Sequence, residues 1–156
     1  MAVFANTFVN KVDRKGRVSV PASFRNELGR QSSLGIAVYP SVDKSPSLTG
    51  CGEDRLRSIS DALGGDDPFD TESVSKRMRL FPAVQRLPLD ADGRVLLPRD
   101  LLDHAGITTH AAFAGMGRDF RIWEPETLEA ARKAEEEQSS RDSGEADREP
   151  PPGGDR

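Results

Sequence analysis

A nine-residue pattern occurs twice in this chain. Asp13-Arg14-Lys15-Gly16-Arg17-Val18-Ser19-Val20-Pro21 and Asp90-Ala91-Asp92-Gly93-Arg94-Val95-Leu96-Leu97-Pro98 both read D-x-x-G-R-V-x-x-P, 77 residues apart. Val12 and Leu89 precede the two copies, and Gly29 and Gly106 follow them, at that same offset, which marks an internal repeat. A chain built this way has to make one small unit twice.

Each position has a local physical role. Asp accepts from backbone N–H groups two residues on, and Gly takes a positive φ without a Cβ penalty, so D-x-x-G is a tight turn. The apolar positions after Arg read as a short strand, and Pro then suits the first turn of a helix. The helix after the first copy spans Pro21 to Leu28, with Phe24 and Leu28 four apart; the one after the second carries Leu101, Leu102 and Ala105. Gly29 and Gly106 stand where helix C-caps are expected. Asp13 and Asp90 could be imagined as paired catalytic carboxylates, but their turn role is sufficient reason for their presence.

Around these anchors the chain predicts a strand over Val3 to Val12, pairing across the Asp13 to Gly16 turn with Arg17 to Val20. Gly35 to Tyr39 reads as a strand, and Ser41 to Gly52, rich in Ser, Pro and Gly, as loop. Helices are expected over Asp54 to Leu63 and Thr71 to Phe81, the latter with Val74, Met78 and Phe81 on one face. Its Lys76, Arg77 and Arg79 fit the solvated side of an amphipathic helix better than a second phosphate patch. Ala83 to Leu89 opens the second unit, and Ala111 to Gly115 and Asp119 to Trp123 close it, with Trp123 as a core anchor. Pro125 opens a helix through Glu137, and from Gln138 the Ser-, Pro-, Gly- and charge-rich sequence predicts a disordered acidic tail.

The net charge of −4 divides unevenly. Residues 124–156 hold five Lys/Arg against eleven Asp/Glu, a net −6, whereas residues 1–30 carry Lys11, Arg14, Lys15, Arg17, Arg25 and Arg30 against Asp13 and Glu27, a net +4. A basic turn of this kind suits a phosphate-facing surface. The second turn lacks that bias: Ala91 and Asp92 replace the Arg14 and Lys15 equivalents, and residues 84–106 sum to −1. The second unit therefore reads as mainly architectural.

Catalytic and metal chemistry find little support. The single cysteine, Cys51, excludes an internal disulfide and suggests a reducing compartment. Neither His104 nor His110 has Cys or carboxylate neighbours at metal-ligand spacing, and Gly64-Gly65 is not followed by Lys-Ser or Lys-Thr. No stretch approaches the roughly 18 apolar residues of a membrane span. The expectation is a protein that is not an enzyme, with no cofactor and no metal, in the cytoplasm.

With the tandem D-x-x-G-R-V-x-x-P, Asn10 before the first turn and Phe120-Arg121-Ile122-Trp123 closing the second copy, residues from about Phe8 to Leu128 resemble the MraZ family. The resemblance implies an α+β, mainly β fold: two tandem AbrB-like swapped-hairpin repeats forming a pseudo-twofold barrel-like unit with short helices. The units would be residues 7–54, carrying the DNA-reading hairpin, and 84–127, joined by a helical connector at 55–82 and followed by the tail at 138–156. It also implies a sequence-specific DNA-binding transcriptional regulator of the division and cell wall gene cluster, associated with the nucleoid. Such proteins assemble into ring-like homo-oligomers, for which promoter direct repeats containing guanine are the matching double-stranded DNA. Arg17 carries over as the base-reading residue, because its planar fork matches O6 and N7 of guanine in the major groove. Asn10, Lys11, Arg14 and Lys15 support it at phosphates and neighbouring bases, and Arg94 is the matching position in the second unit. The competing readings are an oligomeric protein-interaction scaffold, a small enzyme on a related barrel that would depend on Cys51, His104 or Asp13, and an AbrB-like antitoxin, the last disfavoured by the tandem copies.

Overall fold

The structure is a computed structural model that describes residues 3–30, 33–65 and 67–146. The chain divides into two compact units, residues 1–125 and 126–156. In the first unit, β1 (Thr7–Lys11) and β2 (Arg17–Ser19) precede α1 (Ala22–Arg30), β3 (Gly35–Pro40), β4 (Leu48–Cys51), α2 (Glu53–Leu63) and α3 (Thr71–Leu80). A 3-10 turn at Phe81–Ala83 leads to β5 (Gln85–Pro88), β6 (Arg94–Leu96), α4 (Arg99–Ala105), β7 (His110–Gly115) and β8 (Phe120–Trp123). The fifth helix, α5 (Pro125–Ala146), belongs almost wholly to the second unit. No helix among the described residues is long and apolar enough to cross a membrane.

The fold is α+β, with a six-stranded antiparallel sheet in the order β1-β7-β8-β4-β3-β5 and a separate two-stranded ribbon of β2 and β6. The larger sheet is open, with β1 and β5 outermost, so the expected barrel-like closure is not present among the described residues. The expected local hairpin is also corrected. β1 and β2 do not pair as a hairpin, Val12 beyond the end of β1 making an isolated bridge to Val18; β1 pairs instead with β7, Asn10 facing Ala111, and β2 with β6, Val18 facing Val95. Each turn therefore joins two strands that find their partners in the other motif copy.

Four further expectations change. Leu48–Cys51, read as loop, is a fully buried strand between β3 and β8. Its approach is made of hydroxyls that satisfy one another: Ser41 Oγ lies 2.7 Å from Ser47 Oγ and 2.9 Å from Thr49 Oγ1, all buried. Such polar content resembles a loop in sequence, yet once paired internally it tolerates burial. Gly29 lies inside α1, whereas Gly106 does cap α4, in the left-handed region with φ 66°. Val74 and Met78 of α3 are exposed, not turned to a core. Finally, α5 runs nine residues beyond Glu137 to Ala146; the remainder of the expected tail, 147–156, lies outside the described residues.

The core between the ribbon, α1, α4 and the sheet centres on phenylalanines. Phe24 of α1 has ring centroids of Phe4, Phe8 and Phe120 within 5.2, 5.6 and 5.1 Å. Val18, Val20, Val95 and Leu97 of the ribbon strands and their flanks face the same core, each 1 % exposed. A smaller cluster of Ala37, Cys51 and Leu56 is covered by Phe81 and Val84. Trp123 is buried as expected.

Candidate nucleic-acid interface

Both motif turns have the same hydrogen-bond plan. In the first, Asp13 Oδ1 accepts from the backbone N–H of Lys15 at 3.0 Å and of Arg17 at 2.8 Å, and Oδ2 accepts from Arg17 Nε at 2.7 Å. The Gly16 N–H donates to Asp13 O at 3.0 Å, with φ at 94°. In the second, Asp90 Oδ1 accepts from Asp92 and Arg94 N–H, both at 2.9 Å, Oδ2 accepts from Arg94 Nε at 3.1 Å, and Gly93 has φ 76°. These bonds, led by the N–H of Arg17 and of Arg94, hold the carboxyls of Asp13 and Asp90 below the ordinary value of 3.8. The aspartates build turns and position arginines, in place of forming a joint carboxylate site.

The ribbon register puts the two arginines on one face. Arg17 is paired with Leu96 and Ser19 with Arg94, so Arg17 and Arg94 are diagonal neighbours, roughly 7–8 Å apart at their Cα atoms. Side chains alternate along a strand. Val18 and Val95 point into the core, and Arg17, Ser19, Arg94 and Leu96 make up the opposite, solvent-facing side.

The two arginines differ in how far they are neutralised. Arg17, 38 % exposed, meets one carboxylate, whereas Arg94, 32 % exposed, meets two, because its Nη2 also donates to Asp92 Oδ2 at 3.2 Å. Arg14 and Lys15 stand exposed on the first turn and Lys11 at the end of β1, with no ion-pair partner among the described residues. Asn10 is otherwise employed: its Nδ2 donates to Ser19 O at 2.8 Å, tying β1 to β2. An open groove of about 460 Å³ runs between the first turn and α4, lined by Arg14, Lys15 and Arg99.

Arg25, which the charge pattern groups with the first turn, lies instead at the second, and Arg99, outside both motif copies, lies at the first. Both are on helices distant in sequence from the turn they flank: Arg99 of α4 beside the first turn, and Arg25 of α1 over Gly93 of the second. Only the exchange of partners between copies brings them there, and nothing in the linear spacing signals it.

A family model described as "MraZ protein, putative antitoxin-like" matches residues 80–148, which take in the second motif copy and α4. The transcriptional regulator MraZ of Rhodospirillum rubrum is 43 % identical over 134 residues, covering 85 % of this chain and 86 % of the relative. That of Rickettsia akari is 38 % identical over 129 residues, covering 83 % and 86 %. The chain belongs to the MraZ family.

In this MraZ-family chain the candidate nucleophile and ligands are dispersed. Cys51 is fully buried in the Ala37 and Leu56 cluster, and that burial pushes its thiol up to about 12. His104 and His110 are exposed on α4 and β7. Among the described residues, no group of three His, Cys, Asp or Glu is arranged to hold a metal ion.

Proposed function

We propose that this MraZ-family protein is a sequence-specific DNA-binding transcriptional regulator that lays the outer face of the β2–β6 ribbon into the major groove of double-stranded DNA. The observation that carries the reading is Arg17 itself: Asp13 holds its Nε, while no partner is found for its terminal nitrogens among the described residues. A two-stranded ribbon fits the major groove, and a guanidinium aimed outward can pair with O6 and N7 of guanine. Lys11, Arg14 and Lys15, without a carboxylate partner among the described residues, supply phosphate contacts, with Asn10 chiefly fixing the ribbon's approach. Arg94, held by two carboxylates, contributes less.

The larger architecture follows as two AbrB-like repeats with exchanged strands, 7–54 and 84–127, joined by the connector 55–82. The strand order supports it, because exchanging β1 for β5, β7 for β3 and β8 for β4 leaves the order unchanged. Val18 and Val95, equivalent positions of the two motifs, face each other at its centre. The two different outer strands suit a heterologous contact between copies, which closes into a ring when the rotation permits. Such a ring matches G-containing direct repeats spaced by about 10 base pairs, one helical turn. The proposed targets are promoters of the division and cell wall gene cluster, in a cytoplasmic, nucleoid-associated setting.

The test is selection of bound fragments from random duplexes, followed by a spacing series. Arg17→Ala should lose about 1–3 kcal/mol of discrimination per engaged base pair, and Arg94→Ala clearly less. Equal losses would remove the asymmetric reading. Half a helical turn, about 5 base pairs, inserted between repeats should weaken binding steeply. Wild-type affinity in Arg17→Ala would overturn ribbon readout.

A further inference from the structure

We propose that Arg25, on the helix of the first motif copy, is a DNA phosphate contact for the second turn, so that this turn takes its backbone from one copy and its free cation from the other. The inference rests on the DNA-binding reading above and adds a residue that the motif does not contain.

The geometry begins at Gly93. A Cβ built there would lie 2.6 Å from Arg25 Nη1 and 2.8 Å from its Cδ and Cζ, so the arginine's stem and guanidinium lie directly on the turn. Arg25 Nε donates to Val20 O at 3.1 Å, and the Val20 N–H in turn donates to Gly93 O at 3.0 Å, which ties helix, ribbon end and turn together. The side chain is nevertheless exposed, and it forms no ion pair among the described residues. Asp90 and Asp92, the nearby carboxylates of the turn, are both engaged by Arg94. Among the described residues, the second turn's own cation is thus neutralised, and the charge available at it is the one borrowed from α1.

The chain contains its own control for the alternative, that Arg25 only packs. The position 77 residues on is Leu102, and its Cδ1 lies 3.3 Å from where a Cβ on Gly16 would be. At the first turn an aliphatic side chain covers the glycine, so covering a turn glycine does not require a guanidinium. Charge, together with the bond that its Nε gives Val20 O, separates Arg25 from its counterpart, at the turn that holds Ala91 and Asp92 where the first has Arg14 and Lys15.

Neutralising one phosphate contributes a slope of about −0.9 to the dependence of log affinity on log salt. The experiment measures binding of the full chain to a random-sequence duplex between about 50 and 200 mM salt, with Tm in parallel. Arg25→Leu, which reproduces the packing of Leu102, should keep Tm and lower the slope by about 1 per engaged chain. If Arg25→Leu lowers Tm, the decisive pair is Arg25→Lys against Arg25→Gln, similar stems that differ in charge: Lys should retain the slope and Gln should lose it. An unchanged slope in a stably folded Arg25→Leu, or equal slopes for Lys and Gln, overturns the proposal. If the wild type binds and Arg17→Ala loses site preference while the Arg25 variants keep the wild-type slope, only this inference fails. A wild type with no salt-dependent binding to duplex removes the DNA-binding reading itself.

Discussion

Asp13 grips Arg17 at two points: one carboxylate oxygen accepts the Arg17 backbone N–H at 2.8 Å, and the other accepts its Nε at 2.7 Å. A single side chain therefore shapes the turn and aims the guanidinium. Asp13→Asn separates the two jobs, since an amide oxygen still accepts from the backbone while its NH₂ cannot accept from Nε. The expected result is a Tm lowered only modestly, because a neutral amide oxygen accepts the turn's N–H groups more weakly than the carboxylate, with preference for the selected site over random duplex reduced by about tenfold. Competition binding measures it, and full retention of preference would show that Arg17 needs no anchoring.

Gly16 provides a second prediction. At φ 94° an added Cβ is strained and would sit 2.7 Å from Leu97 O. At Gly117 φ is 89°, but nothing lies within 4 Å. Gly117→Ala should thus lose only the backbone share, about 1 kcal/mol, whereas Gly16→Ala should lose more, up to about 3 kcal/mol. Denaturant melts of the two variants compare them directly.

Phe24 touches Phe4, Phe8, Phe113 and Phe120 and is 1 % exposed. Phe24→Ala should destabilise by about 3–5 kcal/mol through lost burial and a residual cavity. Val9→Ala, at a side chain 54 % exposed on the outermost strand β1, should stay within about 0.5 kcal/mol. Similar losses at both sites would contradict the position of the core.

Acid should unfold the chain partly through depressed carboxyls. At Asp43, desolvation raises the pKa, but hydrogen bonds from Arg121, at 2.7 Å, and from Ser45 outweigh it and bring the carboxyl to about 2. A carboxyl lowered in the folded state stabilises fully above its ordinary value, 3.8 here, and that share is lost as pH falls toward 2. Asp13, Asp90 and Glu53 act in the same direction. Asp43→Asn should lower Tm at neutral pH and flatten its fall across this window. A parallel fall in variant and wild type would assign acid sensitivity elsewhere.

The turns were legible in the sequence because their causes are local. Asp13, Gly16 and Arg17 lie within five residues, as do Asp90, Gly93 and Arg94, and the bonds they make need no distant partner. Amphipathic spacing similarly announced α1, α2 and α4. Strand pairing was not legible in that way, because backbone donors and acceptors are the same on every strand and the choice among partners falls to shared burial. The Asp13 turn read equally well as a local hairpin, yet burying Val18 against Val95 sends β2 to β6 and β1 to β7. Leu48–Cys51 was hidden for a related reason, since hydroxyls that suggest loop become core-compatible once Ser41, Ser47 and Thr49 find one another. The sequence alone thus determined two equivalent turns, each carrying an arginine at the same position. Tertiary structure decided that the arginines share one exposed face and that Arg25 of the first copy lies on the glycine of the second, because both depend on contacts between segments some 70 residues apart.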